Sequence, residues 1–219
     1  MDTRFNWTGI KTFDYYSLAY LNQWLEKDRY FFEELNSDRK EDERLLALKR
    51  GATFYRIARN LKTPQSVKSG DIQRYKAVLA SLDSITIEQA QSSPIETISL
   101  FNESLKKSYG ESNRISASSK FLWMKFRSPF YIYDALSREA LGTKHNRLDD
   151  FFSSWNESFL KKEPEIVVAC SNLNRAFRYS CDSRISAEAI NKLSSEPWFL
   201  ERVHDLYLMD VAREKLRKK

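Results

Sequence analysis

The sequence predicts an all-α protein, and three observations support this fold class. The chain of 219 residues contains only five Gly and five Pro, too few for the many turns of a β-sandwich. Apolar residues recur at helical spacing along most of the chain. Helix-start signals are also present, such as Ser93 followed by Pro94. Because 42% of the residues are hydrophobic and 30% are charged, the composition is that of a globular protein.

The first half of the chain contains signals for three helices and one loop. Apolar spacing predicts a helix from Phe13 to Glu34, and a charged break at Asn36–Glu43 follows it. A second helix is predicted through Leu45–Leu61. The Pro, Ser and Gly content of Lys62–Gly70 predicts a loop, and we expect Asp71 to cap the helix after it.

The second half continues the helical pattern but contains one extended segment. A helix predicted over Pro94–Gly110 is followed by a compact helix at Ser116–Phe126 and an extended linker at Arg127–Tyr133. Asp134–Leu141 is predicted as a helix that Gly142 closes. The remaining predicted helices are Leu148–Leu160, Pro164–Tyr179, Ser186–Leu193 and a last helix from Ser195. Together these elements predict one domain over residues 1–219, with lobes at roughly 1–110 and 111–219.

The net charge of +6 and the pI of about 9.2 favour a polyanionic partner, nucleic acid first. One group of basic residues lies in and after the second predicted helix. A phosphate-tracking face and a solvated helix face are both open interpretations of this group. Its members are Arg50, Arg56, Arg59, Lys62, Lys68 and Arg74.

The cysteine and histidine content predicts no zinc site. Cys170 and Cys181 form no CxxC pair, and His145 and His204 are distant from them in sequence. We therefore predict no metal and no cofactor. Two thiols in a chain of this length suit a reducing cytoplasm. The N-terminus lacks the apolar region of a secretory signal. No window approaches the ~18 consecutive apolar residues of a membrane span. We expect a cytoplasmic protein without a membrane partner.

The segment Ile115–Gly142 has the most informative order of residues. Lys120 is followed by the apolar run Phe-Leu-Trp-Met, then by Pro129 within an aromatic linker, and then by Asp134 at a predicted helix start. This order resembles the active centre of the helix-hairpin-helix DNA glycosylases, in particular compact bacterial variants with the 8-oxoguanine glycosylase-like fold. The resemblance covers 28 of the 219 residues. The Gly-rich hairpin that usually precedes the lysine is replaced here by Asn113–Ser119.

The resemblance implies a two-lobed helical fold with a cleft between the lobes. It also implies a monomer that excises a base from double-stranded DNA, with Lys120 and Asp134 as catalytic residues. The target base would be an oxidised purine or a hypermodified phage base such as glucosylated hydroxymethylcytosine, the latter in anti-phage defence. Strand cleavage as an abasic-site lyase would accompany excision where the lysine forms a Schiff base.

The chemistry of base excision explains why a lysine and an aspartate are needed. Breaking the N-glycosidic bond builds positive charge at C1′ of the sugar, which a carboxylate stabilises. A neutral amine can attack C1′ and form a Schiff base. In general, burial lowers the pKa of a lysine and a nearby carboxylate opposes that change, so the two effects must balance. The target base must also leave the stack and enter a pocket.

Further residues near the predicted centre are candidates for the base pocket or for contact with DNA. The aromatic candidates also fit a role in the core, and Lys125 and Arg127 flank the centre as phosphate ligands. The full set is Trp123, Tyr131, Tyr133, Ser118, Ser119, Lys125 and Arg127.

Two other interpretations remain open. Arg138 and His145 are separated by six residues, which resembles the Arg-x(4–6)-His motif of the all-α HEPN ribonucleases. In that family the two residues position the scissile phosphate and assist the ribose 2′-hydroxyl. The third interpretation is a helical nucleic-acid-binding module without catalytic residues, which would need neither pair.

Overall fold

The regular elements of the structure are all helical, which confirms the predicted fold class. The computed structural model describes residues 9–36, 38–61, 71–145, 147–182 and 184–219, and no strand occurs within these ranges. The α-helices are α1 Phe13–Gln23, α2 Arg29–Leu35, α3 Glu41–Phe54, α4 Lys76–Asp83, α5 Ile87–Ser92, α6 Pro94–Tyr109, α7 Ile115–Phe126, α8 Ala135–Leu141, α9 Leu148–Ser171, α10 Ala187–Ser194 and α11 Pro197–Arg217. A π-helical segment Trp24–Asp28 joins α1 to α2, and 3₁₀ turns occupy Ala58–Asn60, Ile72–Tyr75 and Leu173–Tyr179.

The chain divides into two compact units. The inner unit comprises residues 22–133, and the terminal unit comprises the segment that ends at Leu21 together with residues 134–219. The boundaries of these units, at residues 21/22 and 133/134, differ from the predicted lobe boundary near residue 110. The two predicted lobes stay a prediction. Within the described ranges, no helix combines the length and the apolar character that crossing a membrane requires.

The inner unit is built around α3 and α7, which pack closely at one glycine. A Cβ atom at Gly51 of α3 would collide with Sδ of Met124 in α7 and would also approach Phe31. The missing side chain therefore lets the two helices approach each other. The core around them is apolar and includes Leu45, Leu48, Phe101, Leu105, Phe121 and Leu122.

The terminal unit packs α8 and α9 against α11 around a large aromatic core. Trp155 of α9 is fully buried, and its Nε1 donates to Oδ1 of Asp205 at 2.8 Å. Arg202 donates to the other oxygen of Asp205 at 2.6 Å, so the buried carboxylate has a cation and an indole as partners. Burial raises the pKa of Asp205, and Arg202 and Trp155 oppose this change.

Several local predictions are confirmed at their residues. The Asp71 side chain accepts a hydrogen bond from the backbone N–H of Gln73 and so caps the next turn. Gly142 closes α8 in the left-handed conformation with φ of 70°. The loop predicted at 62–70 lies outside the described residues, as do Lys62 and Lys68 of the basic group.

Several helix boundaries were predicted wrongly. The helix expected over Pro164–Tyr179 is α-helical only to Ser171, and the break expected at Asn36–Glu43 ends earlier, because α3 begins at Glu41. The helix expected through Leu61 ends at Phe54, because Arg56 adopts a left-handed φ of 57° and the N–H of Ile57 bonds back to the carbonyl of Ala52. The break expected before Pro164 does not occur, because α9 continues through it. Pro164 has no backbone N–H, so it cannot donate the helical hydrogen bond to the carbonyl of Leu160. Leu160 is 64% exposed, so water can donate to that carbonyl instead.

His204 of α11 is a buried neutral imidazole. Its ring lies edge-on to Trp155 and Phe159, and its Nε2 is 3.0 Å from Oγ of Ser158. Burial lowers the pKa of His204 to about 3, well below the ordinary histidine value of 6.5. The unfolded chain therefore binds a proton at this residue between pH 6.5 and 3 that the folded chain does not.

This difference predicts a loss of stability in acid. Folding lowers the pKa of His204. The contribution of this residue to the free energy of unfolding is therefore constant above pH 6.5, and it destabilises the fold increasingly as the pH decreases below that value. The free energy of unfolding of the parent protein should decrease between pH 7.5 and pH 5. We expect this decrease to be smaller by about 2 kcal/mol in His204→Phe, which has no imidazole to protonate. Urea unfolding of both proteins at the two pH values measures this, and equal decreases would contradict the assignment.

Candidate functional site

The loop before α7 is closed by an arginine and not by glycines. The guanidinium of Arg114 donates to the backbone carbonyls of Tyr109, Gly110 and Ser112, which form the end of α6 and the start of the loop. Its own backbone N–H donates to Oδ1 of Asn102 at 2.7 Å. The connection between α6 and α7 is thus residues 110–114, and Ser116–Ser119 already belong to α7.

Lys120 lies in the buried part of helix α7. Every residue from Ala117 to Met124 is buried, and Lys120 is 8% exposed. Among the lysines that the structure describes, it is the one that is buried. Lysine is seldom buried, because its ammonium group is strongly hydrated. The position predicted for the catalytic amine is therefore also the exceptional lysine of the fold.

The two serines before Lys120 have different environments. Ser119 Oγ accepts a hydrogen bond from the backbone N–H of Tyr133 at 3.1 Å, and it donates to the carbonyl of Ser116 at 3.3 Å. Ser118 Oγ is buried without a hydrogen-bond partner. Both side chains are fully buried in the folded chain, so a contact of either serine with phosphate remains a prediction.

The linker after α7 was predicted to be extended, but it begins with a turn at residues 128–129 and contains a cis peptide bond between Ser128 and Pro129. Arg127 ends the helix with φ of 62°, and its guanidinium lies 3.8 Å from the ring centroid of Phe32. Tyr133 is buried with 2% exposed, whereas Tyr131 is half-buried. Tyr133 therefore fills the interior, and of these two tyrosines Tyr131 has more of its surface open to a ligand.

Lys125 takes part in an internal ion pair. Its Nζ lies 2.7 Å from Oδ1 of Asp83 and also donates to the carbonyl of Leu82. Burial raises the pKa of Asp83, but hydrogen bonds from Arg44 and Lys125 outweigh it, so the pKa is lowered. A contact between Lys125 and DNA phosphate would have to compete with this pair.

Asp28 is a buried carboxylate that no local pattern predicts, and it binds Tyr55, whose ring contacts Trp123. Trp123 is 1% exposed, and the ring of Tyr55 meets it edge-on at 6.1 Å. The hydroxyl of Tyr55 donates to Oδ1 of Asp28 at 2.8 Å, and Nε2 of Gln23 donates to Oδ2 at 2.8 Å. The five-residue separation of Gln23 and Asp28 suits a π-helical segment, which no local pattern predicts.

In the terminal unit, Asp134 opens α8 through a capping box. Its Oδ1 accepts from the backbone N–H of Ser137 at 2.9 Å, and Oγ of Ser137 accepts from the N–H of Asp134 at 3.0 Å. These bonds fix the rotamer of the carboxylate. Asp134 also adds to the raised pKa of Asp205, which burial mainly causes. The cap is present, and a catalytic role for Asp134 remains a prediction.

Lys120 belongs to the inner unit and Asp134 to the terminal unit, and the residues that precede them in the chain, Ser119 and Tyr133, are joined by a hydrogen bond within the inner unit. Ser119 precedes Lys120, and its hydroxyl binds the N–H of Tyr133, which directly precedes Asp134. The end of the linker is thereby held on α7 at the residue before Lys120.

The alternative pair, Arg138 and His145, does not share a helix. Arg138 lies in α8, which ends at Leu141, whereas His145 is exposed in the turn that follows. Of the earlier basic group, Arg74 donates to the backbone carbonyls of Ala58 and Leu61. No group of three or more His, Cys, Asp or Glu residues that could hold a metal ion occurs within the described ranges.

No protein-family model, curated protein or solved structure matches this chain. A function for this chain can therefore be inferred only from its own residues.

The different environments of Ser119 and Ser118 give a matched test of the linker contact. We expect Ser119→Ala to reduce the free energy of unfolding by about 1–3 kcal/mol, because it leaves the N–H of Tyr133 without its acceptor. Ser118→Ala is expected to be neutral or stabilising, because it removes a buried hydroxyl without a partner. Denaturant unfolding compares them, and equal losses would contradict the contact.

The capping role of Asp134 can be separated from any catalytic role. Asp134→Ala is expected to cost about 1 kcal/mol of unfolding free energy, because the N–H of Ser137 loses its acceptor. Asp134→Asn should keep nearly the full stability, because asparagine caps helices about as well as aspartate. Thermal unfolding of the two variants tests this, and a loss in Asp134→Asn as large as that in Asp134→Ala would show that the charge stabilises the fold.

Proposed function

We propose that this chain is a DNA glycosylase that flips a modified base out of double-stranded DNA and excises it. Lys120 is the nucleophile in this proposal, and Asp134 activates the amine or stabilises the positive charge at C1′. The observation that carries it is the burial of Lys120 at the position where the sequence places a catalytic amine. A lysine that served only as a polar residue of the helix surface would be exposed to solvent.

Three further observations support this proposal. The bond from Tyr133 to Ser119 fixes the linker at the residue that precedes Asp134. The capping box then holds the carboxylate of Asp134 in one orientation, as a group that stabilises developing charge must be held. The net charge of +6 favours association with a polyanion. Binding as a monomer, with DNA in a cleft between two lobes, is part of the same proposal.

The proposed reaction forms one bond and breaks another at C1′. The neutral amine of Lys120 attacks C1′, and the base departs with the electron pair of the N-glycosidic bond and takes up a proton. The resulting amine adduct opens to a Schiff base between Nζ and C1′. Water hydrolyses this Schiff base to leave an abasic site, or loss of a proton at C2′ leads to β-elimination of the 3′ phosphate, which is lyase activity.

The substrate is proposed as a purine oxidised at C8 or a hypermodified pyrimidine of phage DNA, with anti-phage defence as the role in the second case. A panel of duplexes discriminates between them. It contains 8-oxoguanine, uracil, hydroxymethylcytosine with and without glucose, and unmodified DNA. Abasic sites and borohydride-trapped adducts are scored for each.

On the active substrate we expect Lys120→Gln to abolish trapping and Asp134→Asn to reduce excision by about 10²–10³-fold. Asp134→Asn retains the helix cap, so a loss of activity without a loss of stability would reflect the charge. Lys107→Gln, at an exposed residue of α6, is the control for the loss of one positive charge. Excision that survives both substitutions would contradict the site. RNA cleavage lost in His145→Ala, without excision of any base, would favour the ribonuclease interpretation.

A further inference from the structure

The inner unit has a groove whose lining includes neither of the candidate catalytic residues. It has a volume of about 740 Å³ and runs between the π-helical segment with α2 on one side and α3 on the other. Its lining consists of Glu26, Lys27, Tyr30, Phe31, Leu46, Lys49, Arg50, Thr53 and Phe54. The volume is within the range of small-ligand sites and would hold one nucleotide.

The groove presents aromatic surface at its rim and apolar surface at its base. Phe54 is 40% exposed, and its ring lies 6.2 Å from that of the buried Phe31. Tyr30 is half-buried on the opposite side. A flat ring system can stack on such side chains without specific hydrogen bonds.

The charge around these rings is positive. Lys27, Lys49 and Arg50 line the groove, and Glu26 is the single acidic residue in its lining. Arg50 lies over the ring of Tyr30 at 5.2 Å, so a cation is held beside an aromatic face. Within the described part of the chain, neither Lys27 nor Arg50 has a carboxylate at salt-bridge distance. Their charges are therefore available to an anionic ligand.

We propose that this groove binds one unpaired nucleotide of a single-stranded DNA segment. The base stacks on Phe54 and Tyr30, and the phosphate lies beside Arg50 and Lys27. Aromatic rings combined with cations along a groove are the features that bind single strands without sequence preference. The charge complementarity favours this occupant over an apolar peptide, which would leave the cations without partners. The inference goes beyond base excision and does not depend on the chemistry of Lys120.

The test measures binding of a fluorescently labelled, unmodified 12-nucleotide oligo-dT by anisotropy. The protein carries Lys120→Gln, so that excision plays no part in the result. We expect Phe54→Ser to weaken binding about ten-fold or more through lost stacking. We expect Arg50→Gln to weaken binding and to reduce the slope of log K against log salt by about 0.7.

Matched controls are available on other exposed surfaces. Leu160→Ser removes from α9 an apolar side chain that is more exposed (64%) than Phe54 (40%), and Lys107→Gln removes one charge from α6. Both should bind like the parent protein. Circular dichroism melting confirms that each variant is folded.

The proposal is overturned if Phe54→Ser and Arg50→Gln bind as well as the controls. It is also overturned if dTMP displaces the oligonucleotide at equal molar concentration, because the groove would then be a mononucleotide site. Loss of binding in these two variants supports the groove. This conclusion holds whether or not the panel of duplexes detects base excision, so the two proposals can fail separately.

Discussion

The hydrogen bond between the backbone N–H of Tyr133 and Oγ of Ser119 is the contact on which the candidate site depends. It joins an irregular linker to a buried helix, and it does so next to Lys120 on one side and next to Asp134 on the other. A buried backbone N–H needs an acceptor, and no helix or strand supplies one at this point of the linker. The serine hydroxyl supplies it, so the local requirement of the backbone fixes the end of the linker.

The two lysines of α7 show how differently one helix can use the same side chain. Lys125 is paired with Asp83 and donates to the carbonyl of Leu82, so it holds α4 and α7 together. Lys120 lies within a run of eight buried residues, where an ammonium group loses most of its hydration. The burial of Lys120 is the observation on which the proposal of a nucleophile rests.

Features with local causes could be predicted from the sequence, and features with distant partners could not. Asp71, Asp134 and Gly142 were placed correctly, because a cap depends on residues two to four positions away. Pro164 was wrongly given a helix break, because burial of apolar residues on both sides of it keeps α9 continuous. The closure of the α6–α7 loop by Arg114, and the contact between Asp28 and Tyr55, depend on partners brought together only by folding. Lys120 and Asp134 were identified through a family resemblance, and their catalytic roles stay predictions.

The most direct measurement identifies the residue that becomes attached to DNA. The protein is reduced with borohydride while it acts on its preferred duplex, digested with nuclease and protease, and sequenced by mass spectrometry. The account predicts that the sugar remnant is found on the peptide that contains Lys120 and on no other lysine. A remnant on another amine, or efficient excision with no adduct on any residue, would contradict the central claim that the buried lysine of α7 is the nucleophile.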